Sequence, residues 1–168
     1  MRTKIVLLMS ALLCVMSLSA QSDFEKYFEK KTLRIDFDLS GNLQSQSAAI
    51  RELREEPVWG GPLKNLIDKF YYGGYYVNVY DKASLKMIYS RSFNTLFEEW
   101  RTTKEAKSET QSWTNSVAVP FPKDTVVIEI TGRDKNDNLF HPLIRQTVAP
   151  KSIFIDRRKL HENVVKQI

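Results

Sequence analysis

The residues closest to a catalytic motif lie near the end of the chain, at His161-Glu162-Asn163-Val164-Val165. In zinc peptidases, a His-Glu-x-x-His stretch places two histidines one helical turn apart, where both bind the metal while the glutamate activates water. Here the fifth position is Val165, so the second histidine ligand is missing. We therefore interpret the stretch as a chance near-match and assign no catalytic residue to it.

Other groups capable of chemistry are few. His141 precedes Pro142 in a predicted strand, and a zinc site needs about three ligands brought together. Asp36 and Asp38 project from one face of another predicted strand, but calcium takes about six to eight oxygens and a loop to supply them. The sequence has no glycine-rich phosphate loop and no nucleophile elbow. We therefore predict no catalytic, cofactor or metal site in this chain.

Large aromatic side chains are the remaining candidates for a binding surface. Trp59 stands in a loop rich in proline and glycine, where it either plugs the edge of the core or offers a stacking platform for a sugar. Five tyrosines lie between positions 71 and 80, and both packing across strands and an exposed patch would explain them. The candidate binding or docking surface comprises Trp59, Tyr76, Tyr80 and Trp100.

The first twenty residues have the pattern of a secretion signal. Arg2 and Lys4 form a basic start, and an apolar run over residues 5–16 follows. Small residues fit a cut after Ala20 or one residue earlier. The apolar run is shorter than the ~20 residues that a membrane-spanning helix needs. We therefore predict export to the periplasm, the outer surface or the medium, with residues 1–20 removed and no stable membrane span afterwards.

The single cysteine, Cys14, lies inside that apolar run. A lipoprotein signal has a small residue just before its cysteine, and Leu13 is not small, so a lipid anchor is the less favoured interpretation. Once residues 1–20 are removed the chain has no cysteine. This excludes disulfides, thiol catalysis and cysteine–zinc sites from the mature form.

Composition indicates one globular domain. The 168 residues are 42% hydrophobic and 27% charged, which is ordinary for a folded protein. Removal of Arg2 and Lys4 takes the basic count from 25 to 23 against 20 acidic residues, so the formal charge falls from +5 to +3. The charges are interspersed rather than gathered in a stripe. We therefore predict no nucleic-acid partner.

Alternation of apolar and polar residues predicts most of the structure. In the clearest strand, over residues 32–42, apolar side chains occupy every second position until a Gly41-Asn42 turn. The other predicted strands cover residues 48–56, 75–81, 87–93, 112–119, 125–131 and 139–148. Seven or eight short strands separated by turns, with one or two short helices, indicate an all-β fold of the antiparallel β-sandwich type.

One short helix is predicted after the strand at 87–93. Thr95, followed three residues later by Glu98, forms a capping box that starts the helix. The predicted apolar edge of this helix comprises Leu96, Phe97 and Trp100. We expect the charged segment 104–111 beyond it to be mobile. Residues 21–31 are expected to form a short helix or arm packed on the edge of the domain.

Several of these stretches carry a family resemblance: residues 31–36, 40–42, 57–60, 88–100 and 119–123. The most specific part is the block from Phe93 to Trp100, followed by Thr103-Lys104-Glu105-Ala106. Together they resemble the N-terminal domain of the IgA peptidase-like zinc metallopeptidases, which Gram-negative gut bacteria secrete. The resemblance runs from about residue 23 to about residue 155.

The resemblance implies a β-sandwich module over residues 21–155 that precedes a separate catalytic domain. Residues 156–168 would then be a polar tail or the start of a linker. The sequence stops where that catalytic domain would begin, so we transfer none of the family's metal ligands and expect zinc in the catalytic domain alone.

Two functions are consistent with this picture. The leading hypothesis is a non-catalytic accessory module that supports or positions a peptidase catalytic domain or its substrate, with that domain in the same chain or encoded nearby. The alternative is a free-standing exported module that binds glycan or host protein.

Overall fold

The computed structural model describes residues 23–158. The predicted secretion signal, Cys14 and the His161 stretch therefore lie outside the described residues. In chain order the elements are α1 (Asp23–Tyr27), β1 (Phe28–Gly41), β2 (Gln46–Glu56), β3 (Tyr75–Asp81), β4 (Met87–Phe93), α2 (Leu96–Trp100), a single 3₁₀ turn (Glu105–Lys107), β5 (Gln111–Pro122), β6 (Val126–Arg133), β7 (Phe140–Val148) and β8 (Ile155–Asp156).

The eight strands form two four-stranded sheets. The first sheet has the order β5-β1-β2-β8 and the second the order β4-β3-β6-β7. Neighbouring strands are antiparallel except for the short parallel pair of β2 and β8. The predicted all-β sandwich with short helices is thus confirmed.

The core lies between the two sheets and follows from the alternation in the sequence. On β1, Leu33, Ile35, Phe37 and Leu39 are fully buried, because side chains two residues apart share one face of a strand. The second sheet contributes a matching inner row, formed by Tyr75, Val77, Val79, Ile128 and Ile130. Burial of each large apolar side chain contributes about 1.5–3 kcal/mol to folding.

The outer face of the first sheet is polar, and its charges are paired. Asp36 contacts Arg34 at 3.0 Å, and Asp38 contacts Arg51 at 3.2 Å. Thr114 Oγ1 also donates a 2.7 Å hydrogen bond to Asp38. Asp36 therefore pairs with an arginine of its own strand, whereas Asp38 pairs with an arginine of β2 and accepts from a hydroxyl of β5.

Of the predicted capping box of α2, the bond from the Glu98 amide to the Thr95 side chain is confirmed, and the apolar edge of the helix is narrower than predicted. Thr95 Oγ1 accepts a hydrogen bond from the Glu98 amide at 3.1 Å, while Phe97 and Trp100 are buried. Leu96 was predicted to share that edge and is instead 65% exposed. A helix of this length presents about one turn to the core, and Leu96 lies off that turn.

Two further details were not predicted from the sequence. Residues 104–111, whose mobility stays a prediction, contain the 3₁₀ turn, and Ala106 in that turn is fully buried against the core. Strand β5 continues through Pro120 and Pro122, which is tolerated because β5 is an edge strand of its sheet. Among the described residues no helix is long and apolar enough to cross a membrane.

Candidate functional site

The most unusual part of the molecule is the outer face of the second sheet. Tyr76 of β3 lies opposite Thr131 of β6, and Asn78 lies opposite Glu129. These residues point away from the core between the sheets, yet all four are buried. The outer face of the second sheet therefore carries its own layer of buried polar and aromatic side chains.

Glu129 is the centre of the hydrogen bonding in that layer. Its carboxylate accepts hydrogen bonds from Tyr80 Oη and Arg145 Nη1, both at 3.1 Å. Burial, together with the negative charge of Glu129, raises the pKa of Tyr80 to about 12. Tyr80 is therefore a hydrogen-bond donor and not an ionised phenolate at physiological pH.

Asp68 ties the loop before β3 to strand β4. One carboxylate oxygen accepts from the Ser92 amide at 3.1 Å and from the Ser92 hydroxyl at 2.6 Å. The other oxygen accepts from the Phe70 amide at 2.9 Å. Burial alone would raise the pKa of Asp68, but these hydrogen bonds outweigh it and hold the pKa below its usual range. Asp68 is therefore ionised at neutral pH.

Between these two carboxylates lies a depression of about 210 Å³, which we call the outer-face depression. Its lining residues are Asp68, Tyr71, Tyr76, Asn78, Met87, Ser90, Glu129, Thr131 and Phe140. Two of the hydroxyl oxygens are enclosed and make no hydrogen bond to any described residue: Tyr76 Oη and Thr131 Oγ1. Both oxygens are enclosed by the protein itself, so a molecule in the depression could reach them only if the surrounding side chains moved.

An exposed aromatic loop forms the rim of the depression. Phe70, Tyr71 and Tyr72 are 71%, 63% and 85% exposed, and the rings of Phe70 and Tyr72 are stacked with centroids 5.8 Å apart. We call residues 70–72 the aromatic loop. Arg133 fixes it, because Nη2 donates a 2.9 Å hydrogen bond to the Tyr71 carbonyl.

Arg133 also contacts Phe140, a second aromatic residue that lines the depression. The Arg133 guanidinium lies 4.3 Å from the ring centroid of Phe140, within the range of a cation–π contact. The Phe140 ring meets the Tyr76 ring edge to face at 5.0 Å, and the Tyr71 ring is 5.6 Å from Tyr76. Tyr76 therefore contacts the rings of both Phe140 and Tyr71.

Comparison with known protein families identifies the family of this chain. A family model described as the Peptidase M64 N-terminus matches residues 23–143, which is more than half of the chain. The chain belongs to the M64 peptidase N-terminal domain family. The family resemblance noted in the sequence is thus confirmed. No individual curated protein shows significant similarity to the chain.

Histidine and acidic side chains do not converge on a common point in the described part of this chain. Among residues 23–158, no group of three or more histidine, cysteine or acidic side chains is placed to hold a metal ion. His141, the histidine within that range, is exposed and has Nε2 2.7 Å from Asp137 Oδ2. A single carboxylate partner does not make a zinc site.

The structure brings together two of the four aromatic residues that the sequence singled out. Tyr76 and Tyr80 share the outer face of β3 in this M64 domain. Trp59 packs edge to face against Tyr89 at 5.9 Å, and its Nε1 donates to the Pro62 carbonyl. Trp100 is buried, stacked on Phe97. The two tryptophans therefore lie apart from the outer-face depression.

Sequence reasoning missed the loop and wall residues of the depression, chiefly Asp68, Tyr71, Thr131 and Phe140. One signal was present: three consecutive aromatic residues at 70–72 stand just before Gly73-Gly74 and outside any alternating strand. Aromatic residues in such a position have no core face to occupy. They were therefore identifiable as exposed.

Proposed function

We propose that this M64 N-terminal domain is a non-catalytic accessory module, which supports or positions a peptidase catalytic domain or its substrate. The observation that carries the proposal is the match to the N-terminal domain of a peptidase family over residues 23–143. It is supported by the missing set of metal ligands among the described residues.

The surface offers apolar groups for such contacts. Besides the aromatic loop, Leu139 is exposed beside Phe140. Ile153 and Phe154 are also largely exposed, close to the last described strand. Contiguous exposed apolar groups commonly mark protein interaction surfaces, so these two areas are the places where a neighbouring domain would pack.

The first test measures catalysis and zinc in the purified chain. We expect no stoichiometric zinc by elemental analysis and no cleavage of a protein substrate, because the described residues contain no metal-binding group. Stoichiometric zinc or cleavage that a chelator abolishes would overturn the proposal. The DNA downstream of the coding sequence gives a second test, since an in-frame or adjacent reading frame with His-Glu-x-x-His would identify the catalytic partner.

A free-standing binding module is the second candidate function, and one observation favours it. The aromatic loop exposes three consecutive aromatic side chains, which is costly unless a ligand covers them. Under this proposal the module engages glycan or host protein without a peptidase. Binding of such a ligand in the complete absence of a catalytic domain would distinguish it from the accessory role.

Export belongs to both proposals. It rests on the basic start and the apolar run of residues 1–20. Cell fractionation with N-terminal sequencing tests it: a mature protein that begins at Gln21, or one residue earlier, is expected outside the cytoplasm. A cytoplasmic protein that retains Met1 would contradict it.

A further inference from the structure

We propose that the free edge of β5 binds an extended acidic peptide segment, which adds to the first sheet as a further strand. This goes beyond the accessory role, because such a segment would bind whether or not a catalytic domain is attached. Three observations carry the proposal. The edge of β5 is unprotected, the place beside it in the first sheet is vacant, and an arginine without a carboxylate partner faces that place.

Strand β5 has backbone groups without a strand partner. It pairs with β1 on one side and with no described strand on the other, so every second residue directs its amide and carbonyl outward. Among the described residues, one side chain bonds to this backbone, since Asn115 Nδ2 donates to the Trp113 carbonyl at 2.8 Å. The start of β5 lies beside the 3₁₀ turn, where Gln111 contacts Glu105. The free part of the edge is therefore residues 112–118.

The other edges of the two described sheets are protected. A loop bonds to β4, β8 and charged residues lie along β2, and β7 contains a proline and an arginine. The residues concerned are Leu66 beside β4, Arg51 and Glu52 on β2, and Pro142 and Arg145 on β7. Proteins use such features to prevent pairing at sheet edges. Strand β5 has no charged residue over Gln111–Pro122, and its prolines follow the free part, so its edge is open to another strand.

The place beside β5 in the first sheet is vacant. Arg91 of β4 lies opposite Val77 of β3, so the two side chains share the inner face of the second sheet. Val77 is 1% exposed, whereas Arg91 is exposed. The first sheet therefore covers β3 but not β4 at this level. An open groove of about 550 Å³ lies there, lined by Val117, Phe93 and Arg91 and bounded by Trp59. We call it the edge groove.

The charge of the edge groove defines the ligand. A strand added about 4.8 Å from β5 would lie over β4, and its inward side chains would cover Arg91. Arg91 forms no ion pair with a described residue, while Glu56, which also lines the groove, is paired with Arg34. Covering an arginine without an anionic partner costs free energy. The added strand therefore needs an inward aspartate or glutamate, with apolar neighbours on the same face.

The same requirement argues against a second copy of β5 as the occupant. Its sequence over Gln111–Pro122 contains no acidic residue, so pairing of β5 with β5 of another molecule would cover Arg91 without neutralising it. Addition of a single peptide strand to a sheet edge is a common mode of peptide recognition. In this mode the backbone supplies the affinity, and the side chains facing the groove supply the specificity.

The test is an NMR titration of the isotope-labelled chain with the capped peptide acetyl-Thr-Val-Thr-Glu-Thr-Val-Thr-amide. Its valines and glutamate share one face of a strand. We expect saturable shifts of the amides of residues 112–118 and of Arg91. The same peptide with lysine in place of glutamate should bind at least about tenfold more weakly. Absence of saturable shifts with the glutamate peptide, or shifts centred on another edge, would overturn the proposal.

Methylated peptides test whether the ligand pairs as a strand. In one peptide the backbone nitrogens of the valines and the glutamate are methylated, and in the other those of the inner threonines are methylated. Because a strand pairs with β5 through one of its edges, we expect one methylated peptide to lose binding and the other to keep it. If both bind as tightly as the unmethylated peptide, strand addition is wrong.

A charge exchange at Arg91 tests the side-chain contact. Arg91→Glu should weaken binding of the glutamate peptide by at least about tenfold and should strengthen binding of the lysine peptide. Lys151→Glu is the matched control, because Lys151 is exposed and precedes β8 at the opposite edge of the first sheet. A thermal melt of each variant confirms that it is folded. If Arg91→Glu leaves the preference for the glutamate peptide unchanged, the proposal is wrong.

Two other occupants would reveal themselves in the chain without peptide. Shifts of the amides of residues 112–118 on dilution would indicate a second copy. Protection of their outward amides from hydrogen exchange in dilute solution would indicate another segment of the same chain. Either result would contradict the peptide site. Neither affects the accessory role, because that role is tested by zinc content, by cleavage and by contact with a catalytic domain.

Discussion

The carboxylate of Asp68 accepts hydrogen bonds from both the amide and the hydroxyl of Ser92, at 3.1 and 2.6 Å. Through these two bonds, Ser92 of β4 anchors the segment that immediately precedes the aromatic loop at 70–72. Since Asp68 also accepts from the Phe70 amide, the carboxylate connects the exposed aromatic side chains to the sheet beneath them.

Asp68→Ala is expected to lower the free energy of unfolding by about 1–3 kcal/mol, because it leaves donors of Ser92 and Phe70 without an acceptor. Urea denaturation at neutral pH measures the loss. Asp124→Ala is the control, since Asp124 is exposed and its replacement should change stability by less than about 0.5 kcal/mol. Equal effects of the two substitutions would contradict the anchoring role.

The effect of Asp68→Ala on the free energy of unfolding is expected to depend on pH. The pKa of Asp68 is lowered in the folded protein, so its contribution to stability is present above the unfolded pKa of about 3.9 and is lost as pH falls through the folded value. The difference in unfolding free energy between the unmodified chain and Asp68→Ala should therefore shrink in acid. A difference that stays constant with pH would show that the ionised carboxylate is not responsible.

Two neighbouring tyrosines are expected to respond differently to loss of the hydroxyl. Tyr75 Oη donates a 2.9 Å hydrogen bond to Gln46 Oε1, so Tyr75→Phe should destabilise the fold by about 1 kcal/mol. Tyr76 Oη is enclosed and has no hydrogen bond of good geometry to a described residue, so Tyr76→Phe should be close to neutral. Thermal or urea denaturation measures both. A clear loss of stability in Tyr76→Phe would mean that its hydroxyl is satisfied in the free protein.

Among the charged residues of the fold, Arg101 is expected to cause the largest loss of stability when it is replaced by alanine. It is 3% exposed, and its guanidinium donates to the carbonyls of Asn42 at 2.8 Å and Leu43 at 3.2 Å. Arg101→Ala should cost about 2–4 kcal/mol, because it leaves two carbonyls unpaired and a cavity behind. The control is Arg51→Ala, which breaks an exposed ion pair with Asp38 worth at most about 1 kcal/mol. Similar losses in the two variants would refute this ranking.

Tyr80 gives a spectroscopic prediction. Burial and the adjacent Glu129 raise its pKa to about 12, and burial also raises the pKa of Tyr75, Tyr76 and Tyr89, so several tyrosines should ionise above the ordinary value of about 10 in an ultraviolet titration. Because the folded pKa is raised, this contribution to stability is complete below about pH 10 and is lost as pH rises through about 12. Glu129→Gln removes the negative charge and should lower the Tyr80 pKa. If Glu129→Gln leaves the high-pH part of the titration unchanged, so that no tyrosine pKa falls, the Tyr80 assignment is contradicted.

The sandwich was predictable because its signals are local. The alternation of Leu33, Ile35, Phe37 and Leu39 is visible in eleven residues of sequence, and it is the same row that fills the core. The sequence-based expectations that the structure did not match concern side chains whose environment depends on distant segments of the chain. Ala106 is buried in a charged stretch because the Leu43 amide donates to its carbonyl across the fold, a contact that composition does not reveal.

The candidate site was less predictable for the same reason. The sequence singled out Tyr76 and Tyr80 as aromatic residues, but their neighbours Thr131, Glu129 and Phe140 lie about fifty or more residues further along the chain. Strand order and register bring them together, and neither can be read from one strand alone. The two tryptophans were chosen by residue type, whereas their burial depends on tertiary packing.

Calorimetric titration of the chain with the separately produced catalytic domain of an M64 peptidase, paired with peptidase assays, tests the accessory role. An accessory module predicts a saturable one-to-one complex and an altered kcat/KM toward a protein substrate when the chain is present. An absence of binding heat, together with the same kcat/KM with and without the chain, would contradict the accessory role.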